Sequence, residues 1–133
     1  MTDRQPIIPD GMQAVYDDIH YAPGVRVGDV VYVSGQIGRD ANMLLVEDKR
    51  AQFVQVFENL RKVLEAAGAS FDDVVDVLSF HTDMRDLPLY MQVRDEYLTN
   101  AESYPTWTAI GAAMLGGQAG YYLEVKVVAH LRG

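Results

Sequence analysis

A chain of 133 residues with 49% hydrophobic and 23% charged side chains is long enough to bury a full core as one domain, so it needs no covalent staples. Eleven basic against nineteen acidic residues leave a net charge of −8 with Lys and Arg scattered, which argues against nucleic acid as a partner, since affinity for a polyanion is built on clustered cations. Without cysteine, disulfides, thiolate catalysis and cysteine-held metals are excluded, and no apolar run approaches the roughly 18–20 residues that cross a bilayer, so a cytoplasmic protein without a membrane partner is expected.

Residues 1–133 read as a single domain, with 1–19 an N-terminal extension and first strand region. Beyond Pro23-Gly24, the stretch Asp29-Val30-Val31-Tyr32-Val33-Ser34 is rich in β-branched and aromatic residues up to Gly35, which predicts a strand over 30–36. Asp48 is placed as the N-cap of a helix in which Phe53, Val56, Phe57, Leu60, Val63, Leu64 and Ala67 recur at three- and four-residue steps, and Gly68 is placed to stop it. Val74 to Thr82 predicts a second long strand. Asp86 then caps a shorter helix over 87–98, with Pro88 in its first turn and Leu89, Val93 and Tyr97 along one stripe. Trp107-Thr108-Ala109-Ile110 follows Pro105, the glycine-rich stretch Gly111 to Gly120 reads as a hairpin connection, and Tyr121 to Ala129 is the last strand.

The pattern is α+β: a sheet with two helices packed on one face. The other face needs a cover, and strands carrying Val31, Val33, Val75 and Val77 are compatible with burying it against partner subunits.

Several chemical signatures are absent. The glycines between Gly111 and Gly120 form no phosphate-cradling motif, His20, His81 and His130 lack metal-ligand spacing, and no serine sits in a Gly-x-Ser-x-Gly elbow. Neither a metal nor a cofactor is expected.

Tyr21…Gly24, Val31-Tyr32-Val33-Ser34-Gly35-Gln36-Ile37, Phe57-Glu58-Asn59-Leu60…Leu64-Glu65-Ala66-Ala67-Gly68, Phe80-His81-Thr82-Asp83-Met84-Arg85-Asp86 and Tyr104-Pro105…Glu124, in this order, resemble the RidA (YjgF-type) family from about residue 20 onward. Ser79-Phe80-His81-Thr82-Asp83 and Tyr104-Pro105-Thr106-Trp107-Thr108-Ala109-Ile110-Gly111 look most like its YjgH branch. The resemblance implies a chorismate-mutase-like fold, a homotrimer and a small-molecule cleft at each of three subunit interfaces. It also implies a reaction, the hydrolysis of 2-enamino or 2-imino acids to 2-keto acids, in which an arginine two residues after the proline grips the substrate carboxylate.

Here that position is Trp107. An indole cannot offer the paired donors of a guanidinium, and losing them removes about 3–5 kcal/mol, on the order of 10²–10⁴ in affinity or turnover for a carboxylate. The usual deaminase reaction is therefore expected to be weak or absent. Met91 stands where the family has a cleft asparagine and Ala109 where it has a cysteine, whereas Tyr21, Ser34, Gly35 and Glu124 match cleft positions, the glutamate holding the attacking water.

The resemblance thus makes Glu124 and Ser34 the catalytic candidates, and Tyr21, Gly35, Met91, Trp107 and Thr108 the substrate-binding ones. Trp107 equally fits a packing anchor, and His81 is either a general base or a structural histidine. Three functions are consistent with these residues: a hydrolase or lyase acting on a small unsaturated or imine-type metabolite, a non-catalytic small-molecule binding or sensing trimer, and an endoribonuclease, a label some members carry and the charge disfavours.

Overall fold

The structure, a computed structural model, describes residues 3–132; Met1, Thr2 and Gly133, the ends of the expected domain, lie outside the described residues. Its strands are β1 (Arg4–Ile7), β2 (Gly24–Val27), β3 (Val30–Ile37), β4 (Val74–His81), β5 (Thr106–Gly111) and β6 (Leu123–His130). They form one sheet in the order β1-β2-β3-β6-β4-β5, with β4 and β5 parallel and the other neighbours antiparallel. Helices α1 (Lys49–Ala66) and α2 (Leu87–Asp95) pack on one face of it, giving the expected α+β architecture. No helix is long and apolar enough to cross a membrane among the described residues.

The end signals of α1 act as the chain predicts. The Asp48 carboxylate accepts from the Ala51 N–H at 2.9 Å, and Gly68 takes a left-handed φ of 78° just past the last turn. Between them Phe53, Val56, Phe57, Leu60, Val63 and Leu64 are buried against Val31, Val33, Leu123, Val125 and Val127, each large apolar side chain contributing about 1.5–3 kcal/mol. This is the main core.

At α2 the expectation needs correcting. Asp86 makes no capping bond; its carboxylate instead pairs with Lys49 Nζ at 3.1 Å, tying α2 to the start of α1. The helix ends at Asp95 rather than near residue 98, because Glu96 and Tyr97 donate to Val93 and Arg94 carbonyls three residues back and tighten the chain into a turn.

Two further expectations fail for reasons of strand pairing. Val31, Val33 and Val77 point toward the helices and are buried within the one chain, so they cannot cover the far face; only Val75, at a register break between Val74 and Asp76, is exposed, at 49%. The far face carries Tyr32 and Val128 opposite each other, Leu78 beside Lys126, and Phe80 beside Glu124. Gly111 to Gly120 is not a hairpin between its flanking strands, because β4 lies between β5 and β6. The connection crosses over, with a tight turn of its own at Gly116 and Gly117, and seats Leu115 and Tyr121 on Ile37 as a second, smaller core.

Candidate functional site

In β6, Leu123 and Val125 turn inward beneath the helices, so strand alternation sends Glu124 to the far face, in register with Ile37 of β3 and Phe80 of β4. There β3 breaks register between Val33 and Gln36, and the irregularity brings Ser34 and Gly35 against Glu124. A Cβ at Gly35 would stand 2.2 Å from Glu124 Oε2, so the carboxylate occupies the space that any other residue would fill. Burial pushes the Glu124 carboxyl up from its ordinary value, and the positive charges of Arg39 and Lys126 oppose that rise.

Tyr21 reaches the same place by a different route. One π-helical turn, Val15–Ile19, ends at His20 with a left-handed φ of 66°, and the chain swings back so that the Tyr21 hydroxyl accepts a hydrogen bond from Arg39 Nη2 at 3.1 Å. Ser34 anchors this return: its backbone N–H donates to the Pro23 carbonyl and its hydroxyl to the Ala22 carbonyl at 2.6 Å. The hydroxyl proton is thereby committed, leaving Ser34 oxygen free only to accept. Ile19, Tyr21, Ser34, Gly35, Arg39 and Glu124 border a cavity of about 380 Å³.

Trp107 belongs to a different region. It pairs in register with Val77 and lies on the helix side of β5, where its indole N–H donates to Ser79 Oγ at 2.8 Å and its ring stacks on Tyr90 of α2 with centroids 5.5 Å apart. The Arg94 guanidinium sits over the indole at 5.1 Å, a cation–π contact. A second cavity of about 370 Å³ opens here, bordered by Arg94, Leu98, Tyr104, Pro105 and Trp107.

His81 bonds the same Ser79 oxygen through Nε2 at 2.8 Å and is fully buried, where desolvation lowers its pKa against the raising influence of Asp86. It borders neither cavity. Met91 lies half-buried on α2 against the core. Thr108, the neighbour of Trp107, alternates back to the Glu124 face, opposite Leu78, and is exposed.

The structure therefore gathers Tyr21, Ser34, Gly35 and Glu124 into one cavity and places Met91, His81 and Trp107 across the sheet from it. Among the described residues no cavity within one chain is bordered by both Trp107 and Glu124. Two cations adjoining these cavities, Arg39 and Arg94, escape a reading based on motifs. Arg39 falls just after the Ser34-to-Ile37 segment, and Arg94 looks like an ordinary solvated charge on a helix; only the packing shows where each one points.

The family model described as Endoribonuclease L-PSP matches residues 12–131. The chain is 38% identical over 132 residues to the RutC family protein YjgH of Escherichia coli (strain K12), covering 98% of each. It is 34% identical over 110 residues to a 2-iminobutanoate/2-iminopropanoate deaminase of Dermatophagoides farinae, covering 81% of this chain and 84% of that one. A solved structure described as Protein YJGH aligns with a TM-score of 0.85 at 37% identity over 98% of both chains.

Proposed function

The chain belongs to the RidA (YjgF-type) family, on its YjgH-like side, and from that premise we propose that it binds a small metabolite in the Glu124 cavity and adds water to it. It works as a cytoplasmic homotrimer in which each ligand cleft joins the Glu124 half-site of one protomer to the Trp107 half-site of its neighbour. The observation that carries this reading is the Glu124 carboxylate itself, half-buried, raised in pKa and seated on Gly35 beside a phenol and a guanidinium. A carboxylate so placed is a stronger base than an exposed one and is poised to hold a water molecule. The placement of the two half-sites on opposite sheet faces, with Tyr32, Val75 and Ile110 exposed, supports a cleft completed by a partner.

On an imine-type substrate the oxygen of that water forms a bond to the C=N carbon, the π electrons move to nitrogen, and Glu124 takes the water's proton and passes it to nitrogen. A second transfer through Glu124, from the new hydroxyl to nitrogen, accompanies re-formation of the carbonyl and breakage of the C–N bond, releasing the amine. Met91, Trp107, Thr108 and Tyr21 shape the rest of the cleft, which suits an apolar or aromatic ligand with one polar end.

The mite relative is named for 2-imino acids, and Trp107 marks where this chain departs from the carboxylate grip of its family. 2-Iminobutyrate generated in situ is expected to decay scarcely faster with the native protein than with buffer, while Trp107→Arg gains activity and Glu124→Gln does not. Brisk native turnover would refute the role given to Trp107. A non-catalytic binding protein is the second reading, favoured by the commitment of the Ser34 hydroxyl to Ala22; it gains if Trp107→Arg is also inert. Ribonuclease activity, despite the name of the matching family model, has a net charge of −8 against it.

A further inference from the structure

The second cavity, on the helix side of β5, has a volume of about 370 Å³, suited to a small ligand, and of the residues matched to the family's cleft only Trp107 borders it. Buried Val77 and Leu98 line it with aliphatic carbon. Trp107 is stacked on Tyr90 and has its N–H committed to Ser79, so what the indole, 36% exposed, offers a ligand is π surface and carbon edge. Tyr104 borders the same space and is 66% exposed; among the described residues neither its ring nor its hydroxyl has a partner, and it is free to turn onto a flat ligand.

Charge narrows the class of ligand. The Arg94 guanidinium lies over the indole at 5.1 Å and borders the cavity, which favours a second electron-rich ring beside it. Its charge is already met by Asp95, whose Oδ1 accepts from Nε at 3.0 Å and lies 2.9 Å from Nη2, so the pocket has no net cation for an anionic ligand. Asp95 Oδ2 takes no bond among the described residues and stands at the cavity as an acceptor for a hydroxyl.

We propose that this pocket binds the ring of a small, uncharged, phenol-like molecule: Trp107 and Tyr104 cover the ring, Arg94 meets its π electrons and Asp95 accepts from its hydroxyl. A saturated ring of the same size gains burial but no cation–π contact, and a carboxylate meets the open oxygen of Asp95. The inference rests on the reading above only in making this ring the apolar end of the ligand in the proposed cleft. Binding here needs neither Glu124 nor turnover, so failure of one leaves the other standing.

Titration of the ¹⁵N-labelled full-length protein with phenol, cyclohexanol, anisole and benzoate at neutral pH tests it, because Trp107 is the only tryptophan and gives a single indole N–H resonance. Phenol is expected to shift that resonance saturably, with an affinity about threefold or more above that of cyclohexanol. Tyr104→Ala and Arg94→Met are each expected to remove most of this preference, and Asp95→Ala to bring phenol and anisole level. The absence of a saturable shift with phenol, equal affinity for phenol and cyclohexanol, or tighter binding of benzoate overturns the proposal, as does native phenol affinity in a folded Tyr104→Ala protein. Should a variant fail to fold, the order of the four compounds on the native protein decides alone.

Discussion

Replacing Gly35 by alanine tests the geometry of the site most directly. The new methyl would lie 2.2 Å from Glu124 Oε2, 2.9 Å from Cδ and 3.1 Å from Cγ. Non-bonded heavy atoms settle near 3.5–4 Å, so the carboxylate has to retreat by roughly 1 Å or more. Because the obstructed atoms are the free end of a flexible side chain, the fold gives way cheaply, and the destabilisation belongs near the lower end of the roughly 1–3 kcal/mol typical of overpacking. For a domain of this size about 1 kcal/mol corresponds to a fall in Tm of roughly 3–6 °C.

The functional penalty is disproportionate, since a misplacement of about 1 Å costs on the order of 10² in rate. Thermal unfolding and ligand titration of Gly35→Ala, Glu124→Ala and the double variant separate the two effects. The double variant should recover the stability lost by Gly35→Ala alone, because the obstructing carboxylate is gone. Additive losses, or a Gly35→Ala protein with native stability and native ligand binding, would show that Glu124 does not occupy the space above Gly35.

The raised pKa of Glu124 predicts a pH dependence of stability with a definite sign. Its folded-state pKa lies above its unfolded one, so the folded protein holds that proton more tightly, and the destabilisation is absent below the ordinary glutamate range and grows as pH rises through the shifted value. Glu124→Gln should therefore gain in Tm relative to the native protein as pH rises from the ordinary glutamate range to the shifted value, and a gap that shrinks with rising pH would contradict the burial argument. Any reaction using Glu124 as base should rise over the same interval, measured as a pH–rate profile. Ser79→Ala removes the partner of both the Trp107 indole and His81, leaving buried groups unsatisfied, and is expected to cost about 1–3 kcal/mol in chemical denaturation while increasing the solvent exposure of Trp107 fluorescence. Native stability with an unshifted emission maximum would show that these bonds do not hold the indole.

Local patterns carried much of the fold. The apolar stripe from Phe53 to Leu64, bounded by Asp48 and Gly68, was legible as a capped helix because cap, period and stop all lie within one short window. The same holds for Val30 to Ile37, and for Leu123 and Val125 flanking Glu124, whose alternation already set the carboxylate apart from the core. The helix end at Asp95 and the pairing of Asp86 with Lys49 were not legible, since a side chain within reach of a cap can be drawn away by a partner 37 residues distant.

By itself, the amino-acid order determined the three long strands and the existence of the two helices, the membership in a family through the segments around Ser34, Phe80 and Tyr104, and the loss of an arginine at position 107. Tertiary structure alone decided that β4 lies between β5 and β6, and so that Trp107 packs on Tyr90 across the sheet from Glu124, while Arg39 comes to border the Glu124 cavity. The physical reason is range. Side-chain periodicity is a property of a few neighbouring residues, whereas strand order, and with it the face on which each polar group meets another, follows from contacts between segments far apart in the chain.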